Sequence, residues 1–204
     1  MFMIMAGGLG FMVWVELAEY RKKRRLSLHA KVVLQFSAIF WVGGAVLLAL
    51  LEWSNPKTMG GLSVPSKLMA AMFQSVSTRT AGMNTIDLAA CSPISKLLMS
   101  VLQFIGAAPG STGGGVKVTT FAVLILTIRS VAQGRDDCVI GGHHIESKTV
   151  YRALTIIVLG AVAAFGSAVV VYYNTAETVS VIDCIFESCS AFGTVGLSLS
   201  LIHI

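Results

Sequence analysis

Between Phe104 and Thr119 the chain reads FIGAAPGSTGGGVKVT, with five glycines, one proline, Ser111, Thr112 and a single charge, Lys117. This stretch lies inside an apolar segment running from Leu97 to Leu126. A helix interior excludes such a composition, because each glycine costs roughly 1 kcal/mol against alanine and a proline about 3 kcal/mol. A lipid-facing segment excludes it too, since freed amides and carbonyls find no water in hydrocarbon. Irregular backbone at membrane depth persists only where it lines an aqueous cavity or is buried in protein. If the segment crosses a membrane, its middle faces a path through the protein.

Composition supplies that condition. Charged residues are 12% of the chain and apolar residues 55%, against about 25% and 45–50% in an average soluble domain. The chain therefore reads as an integral membrane protein. A net charge of +5 could suggest nucleic acid, but the cations concentrate in the run Arg21-Lys22-Lys23-Arg24-Arg25. Beside apolar spans such a run is a cytoplasmic anchor, so no nucleic-acid partner is expected. Cys91, Cys138, Cys184 and Cys189 have no metal-ligand spacing and read as ordinary buried or loop thiols. The opening MFMIMAGGLGF lacks the basic region of a cleavable signal peptide.

Taken in order, residues 1–20 turn from apolar to charged at Glu16 and Glu19 and predict the cytoplasmic half of a membrane helix. The sequence Gly7-Gly8-Leu9-Gly10 resembles a nucleotide-binding loop only superficially: Val13 stands where the third glycine belongs, and no strand precedes it. Close helix packing by small residues is its expected use. Residues 21–31 form a cytosolic basic loop, and 32–52 form a helix long enough for a core of about 30 Å. A short helix over 65–77 cannot cross; a polar stretch over 78–86 containing Gly82 follows it. The segment 93–128 is a helix broken over 106–117. Span, half-length helix, polar glycine stretch and second span together describe a re-entrant pore loop. A loop outside the membrane that happens to hold a helix is the alternative.

A second copy argues for the pore loop. After a charged loop over 129–148, whose His143 and His144 read as solvated, come a span over 149–173, a short helix over 180–190 and a glycine stretch over 193–198. Phe73-Gln74-Ser75-Val76-Ser77 aligns with Phe186-Glu187-Ser188-Cys189-Ser190. Thr80-Ala81-Gly82-Met83 aligns with Thr194-Val195-Gly196-Leu197 after one inserted residue. Internal repeats of this kind mark channels and transporters. The predicted fold is all-α, built from tandem membrane helix–pore loop–membrane helix repeats. Basic residues crowd loops 21–31 and 129–152, whereas the pore-loop side carries Lys57, Lys67, Arg79 and Lys96. The positive-inside rule therefore puts both pore loops outside.

A small cation crosses when oxygens replace its hydration shell, and rings of backbone carbonyls do this. Such rings need unusual dihedrals, which glycine adopts without steric penalty. Thr80-Ala81-Gly82 and Thr194-Val195-Gly196 meet the demand, with the short helices expected to aim their negative ends at the cavity. Arg79 is either a donor to carbonyls behind the filter or a repulsive element in the path. Lys117 either bonds loop carbonyls or repels the ion. A phosphate-binding reading of Gly110-x4-Gly115 fails, because Val116 separates it from Lys117 and the preceding element is an apolar helix. No Ser/His/Asp or Cys/His constellation occurs at helical spacing in the spans, so the chain is not expected to be an enzyme.

The motifs SVSTRTAGMNT, GAAPGSTGGGVKVTTFAV and ESCSAFGTVGLS resemble pore loops and an inner-helix loop of the Trk/Ktr/HKT superfamily of potassium transporters. The bacterial Ktr-type membrane subunit is the most similar type. GGLGF at 7–11 resembles the end of that family's second repeat, which would make 32–128 the third repeat and 149–204 the fourth. The first repeat, most of the second and the last inner helix of the family's pattern are absent from this sequence. The resemblance implies four repeats around one path and potassium as the permeating ion, with or without coupled sodium. It implies a filter at Thr80, Ala81, Gly82, Met83, Thr194, Val195, Gly196 and Leu197, binding potassium through backbone carbonyls. It implies an intramembrane gate at Ala107, Ala108, Pro109, Gly110, Ser111, Thr112, Gly113, Gly114, Gly115 and Lys117. It further implies a homodimer in the bacterial cell membrane on a cytosolic nucleotide-binding regulatory ring, with no cofactor in this chain. Two other readings stay open: a secondary carrier with broken helices, and a non-conducting membrane subunit.

Overall fold

The computed structural model describes residues 1–134, 139–140, 143–175 and 179–199. Arg135, Cys138, residues 200–204 and the side chains of Lys23, His143 and His144 lie outside the described residues. The elements are helices α1 (Phe2–Gly8), α2 (Phe11–Lys23), α3 (Leu28–Glu52), α4 (Val64–Ser77), α5 (Pro93–Phe104) and α6 (Val118–Ala132), strands β1 (Val139–Ile140) and β2 (His143–His144), and helices α7 (Ser147–Asn174) and α8 (Val181–Phe192). The strands form a two-residue antiparallel ladder inside the charged loop. Everything else regular in the described residues is helical.

Helix α3 starts at Ser27, whose hydroxyl accepts the Ala30 amide and donates to Glu16 Oε1 at 2.7 Å. Capping satisfies one of the four amides that a helix start leaves unpaired. Helices α3 and α7 are 25 and 28 residues long and apolar enough to cross a membrane. Their outward faces expose Val46, Leu50, Leu159, Val162, Phe165 and Val170, as lipid-facing helices do. The inward faces carry small residues. A Cβ on Gly44 of α3 would sit 2.5 Å from Ser75 Oγ, and one on Gly160 of α7 would sit 2.9 Å from the Phe192 ring. Each long helix thus has a notch that receives the short helix following it, and Ser75 Oγ bonds the Trp41 carbonyl at 2.8 Å there. The packing joins both copies in one core, in which Leu48, Met59, Leu88 and Met99 meet Phe186, Val195 and Leu197.

The C-terminal end of α3 is fixed by Glu52, which is fully buried. Its carboxylate accepts four bonds, from Asn55 Nδ2, Thr58 Oγ1, the Ser92 amide and Ser95 Oγ, at 2.6–2.9 Å. Two of these donors open α5, so one acid joins the end of α3 to the start of α5.

One expectation is corrected. Residues 1–20 are not a single helix: α1 and α2 meet at an angle of 101°. Gly10 adopts φ +79° at the bend, which glycine tolerates and other residues rarely do. Trp14 Nε1 donates to the Ala6 carbonyl at 2.8 Å and satisfies an acceptor that the broken helix frees. The glycines at 7–10 therefore make a hinge, and they approach the glycine loop rather than another helix.

Candidate functional site

Both glycine stretches follow a short helix and are tied back to it by the same bond. Ser77 Oγ, in the last turn of α4, donates to the Met83 carbonyl. Ser190 Oγ, in α8, donates to the Leu197 carbonyl at 2.6 Å. The dihedrals repeat as well. Thr80 and Thr194 have φ +71° and +53°, and Gly82 and Gly196 have +66° and +84°. Among the described residues Arg24 is the one other non-glycine with positive φ. A β-branched side chain there is a true outlier, and two at aligned positions indicate that the geometry is selected for its product.

The two stretches abut. A Cβ on Gly82 would lie 2.9 Å from the Val195 carbonyl oxygen, and one on Gly196 would lie 3.6 Å from Gly82 Cα. The carboxyls nearby are engaged elsewhere. Glu187 Oε1 accepts Ser198 Oγ at 2.8 Å and the Leu199 amide at 2.6 Å. Asp183, in the first turn of α8, pairs with Lys96 of α5 at 2.8 Å. The oxygens that the two stretches themselves carry are backbone carbonyls and threonine hydroxyls. Among the described residues no group of three His, Cys, Asp or Glu could hold a metal ion.

The glycine loop, residues 105–117, separates α5 from α6 and carries its own bonding. Gly106 donates to the Val116 carbonyl at 2.8 Å, Val116 to Phe104 at 3.1 Å and Val118 to Ala107 at 3.2 Å. Gly106 must be glycine, because a Cβ would overlap the Gly114 carbonyl. The freed polar groups of a broken helix are thus satisfied within the loop, as burial demands. Lys117 Nζ bonds the Gly113 carbonyl. Of its two sequence-based readings, the carbonyl donor is the geometry found. Arg79 is buried, donates from Nη1 to the Gly106 carbonyl at 3.3 Å and sits 4.9 Å over the Phe40 ring. It too bonds a carbonyl, but on the loop rather than behind the filter stretches.

The loop touches both glycine stretches. Its Gly114 amide donates to Thr194 Oγ1 at 2.9 Å. A Cβ on Gly113 would sit 3.0 Å from the Thr80 side chain. On its other side the loop is clasped by the α1–α2 hinge: Ala108 donates to the Gly8 carbonyl at 3.0 Å, and Phe11 to the Gly110 carbonyl at 3.2 Å. Of the residues singled out from the sequence, Thr80, Gly82, Thr194, Val195 and Gly196 of the two stretches therefore come together with Gly113 and Gly114 of the loop. Sequence reasoning missed Gly8, Gly10 and Phe11, because contacts a hundred residues apart leave no local pattern. It also gave no role to Ser77 and Ser190, although their matching places in the aligned copies were a usable signal. Three of the four cysteines, Cys91, Cys184 and Cys189, are free and buried.

Comparison with known proteins gives the family. The family model described as "TrkH: Cation transport protein" matches residues 1–203. Ktr system potassium uptake protein B of Vibrio alginolyticus is 39% identical over 197 residues, covering 96% of this chain and 43% of its own length. The potassium/sodium uptake protein NtpJ of Enterococcus hirae is 35% identical over 201 residues, covering 98% and 44%. Ktr system potassium uptake protein B of Bacillus subtilis is 32% identical over 200 residues, again covering 98% and 44%. The chain spans less than half the length of these relatives.

Proposed function

The chain belongs to the TrkH family of cation transport proteins, and from that premise we propose that it forms part of the pore of a potassium uptake system. It is an integral membrane protein of a family that transports ions and is not enzymatic. In this reading potassium sheds water against the backbone carbonyls of Thr80 to Met83 and Thr194 to Leu197. These are two of the sides of a ring that further repeats of the complete protein close. The loop from Ala107 to Lys117 is the gate on the inner side. The observation that carries the reading is the abutment of Gly82 and Gly196, with the glycine loop bonded to Thr194 beside them. A loop without a role in the path has no reason to meet both filter stretches at once. Potassium is cargo here and the chain needs no cofactor. The partners are a second membrane subunit and a cytosolic nucleotide-binding ring; the Ktr-system names of two relatives support an assembly of several components.

The test uses the complete protein in vesicles. Deleting Gly113 and Gly114 should raise potassium flux and weaken its dependence on the cytosolic partner. A shortened protein that folds yet conducts no faster overturns the gate. The carrier reading draws on the two interrupted spans, α1–α2 and α5–α6. It predicts that the same deletion abolishes uptake.

A further inference from the structure

We propose that Thr194 is a positioning residue that latches the glycine loop shut through its side-chain oxygen. The proposal rests on the gate reading above and names the contact that holds the closed state. Thr194 stands at φ +53°, a conformation that an L-residue adopts only at a steric cost. Glycine would adopt it freely, and glycine is used at five positions in the neighbouring loop, so the threonine side chain must contribute something that glycine lacks. Its side-chain oxygen accepts the Gly114 amide at 2.9 Å. A Cβ on Gly114 would come within 2.5 Å of that oxygen, so the loop is bare where it meets the hydroxyl. The left-handed backbone turns the side chain toward the loop, and the loop approaches closely enough to use it. Strain held at such a place is typical of switch regions.

Thr80 supplies the contrast. It shares the left-handed backbone, but its Oγ1 donates to the carbonyl of its neighbour Arg79 at 2.6 Å. It packs against Gly113 and, among the described residues, makes no side-chain hydrogen bond to the loop. The two aligned threonines are thus divided in function: one shapes its own turn and the other holds the gate.

The experiment measures residue-resolved hydrogen exchange at the Gly114 amide, and potassium flux, in the complete transporter. Thr194→Val and Thr194→Ala remove the acceptor, and Thr194→Ser keeps it. Loss of one such bond should speed Gly114 exchange between about twofold and about twelvefold in the Val and Ala variants. The Ser variant should exchange like the wild type, and Thr80→Val should leave Gly114 exchange unchanged. Flux should rise in the Val and Ala variants. Unchanged Gly114 exchange in either of them, or equal acceleration in Thr80→Val, overturns the latch. If neither Val nor Ala variant folds, the wild type decides: Gly114 exchanging at the rate of an unprotected amide overturns it. Faster exchange with unchanged flux leaves the latch standing and refutes the gate reading instead.

Discussion

Alanine at Gly82 should destabilise the protein more than alanine at Gly196. Both have positive φ, so alanine at either adds a dihedral penalty of roughly 1–2 kcal/mol. At Gly82 the new Cβ would also lie 2.9 Å from the Val195 carbonyl oxygen and 3.3 Å from the Gly196 carbonyl. These are backbone atoms and cannot swing aside, so the two stretches must move apart. Overpacking of this kind typically adds about 1–3 kcal/mol. At Gly196 the nearest atom is Gly82 Cα at 3.6 Å, an ordinary contact. Gly82→Ala should therefore lose about 2–5 kcal/mol and Gly196→Ala about 1–2 kcal/mol. The assay is thermal unfolding of the purified complete protein, with competitive potassium and sodium uptake measured in vesicles. Gly82→Ala should melt lower and discriminate less between the ions. An equal or larger effect from Gly196→Ala would refute the steric reasoning.

Glu52→Ala leaves Thr58 Oγ1, the Ser92 amide and Ser95 Oγ without this acceptor, while Asn55 Nδ2 keeps the Ala90 carbonyl. At about 1–3 kcal/mol for each unmet buried group, it should lose at least about 3 kcal/mol in thermal or denaturant unfolding. An unshifted transition would show that water replaces the carboxylate there. Burial raises the Cys91 thiol from 9.0 to about 12. It should ignore maleimide at neutral pH until the protein unfolds, and rapid labelling of the folded protein would refute this. Below pH 9 folded and unfolded chains both keep that proton, so the group favours neither state. As pH rises from 9 toward about 12 the unfolded chain releases it first, and stability should fall across that window. Replacing Cys91 by serine should flatten that part of the pH profile.

What was legible in the sequence followed from local rules. An apolar run without charge specifies α3 and α7. Pro65 and Pro93 open α4 and α5, where a helix start needs no amide from proline. The glycines of residues 106–115 exclude helix. The aligned Ser, Thr and Gly positions point to a duplicated unit. The bend at Gly10 was not legible, because GGLG followed by an apolar run fits a continuous helix equally well. What decides it is the Gly110 carbonyl, which takes the Phe11 amide from a hundred residues away. Glu52 was likewise opaque: an acid at the end of an apolar run reads as exposed until its four donors are seen. For Arg79 and Lys117 the sequence offered a carbonyl donor or a charge in the path, without saying which carbonyl each would meet.

The hinge has a consequence for the mutational history open to such a chain. A Cβ at Gly10 would sit 2.5 Å from the Pro109 carbonyl oxygen, and a Cβ at Gly110 would sit 2.9 Å from the Phe11 ring. The two obstacles differ in kind. Trimming Phe11 to a smaller side chain would remove the clash at position 110 and leave alanine there with only the dihedral penalty of φ +68°, so a partly compensating change exists. No substitution removes a backbone carbonyl, so position 10 has no such escape. A genetic screen for second-site revertants should recover changes at Phe11 from a Gly110→Ala parent, and none at residues 109–110 from a Gly10→Ala parent. The hinge is thus a ratchet in sequence space, with drift permitted on the side of the loop and barred on the side of the helix.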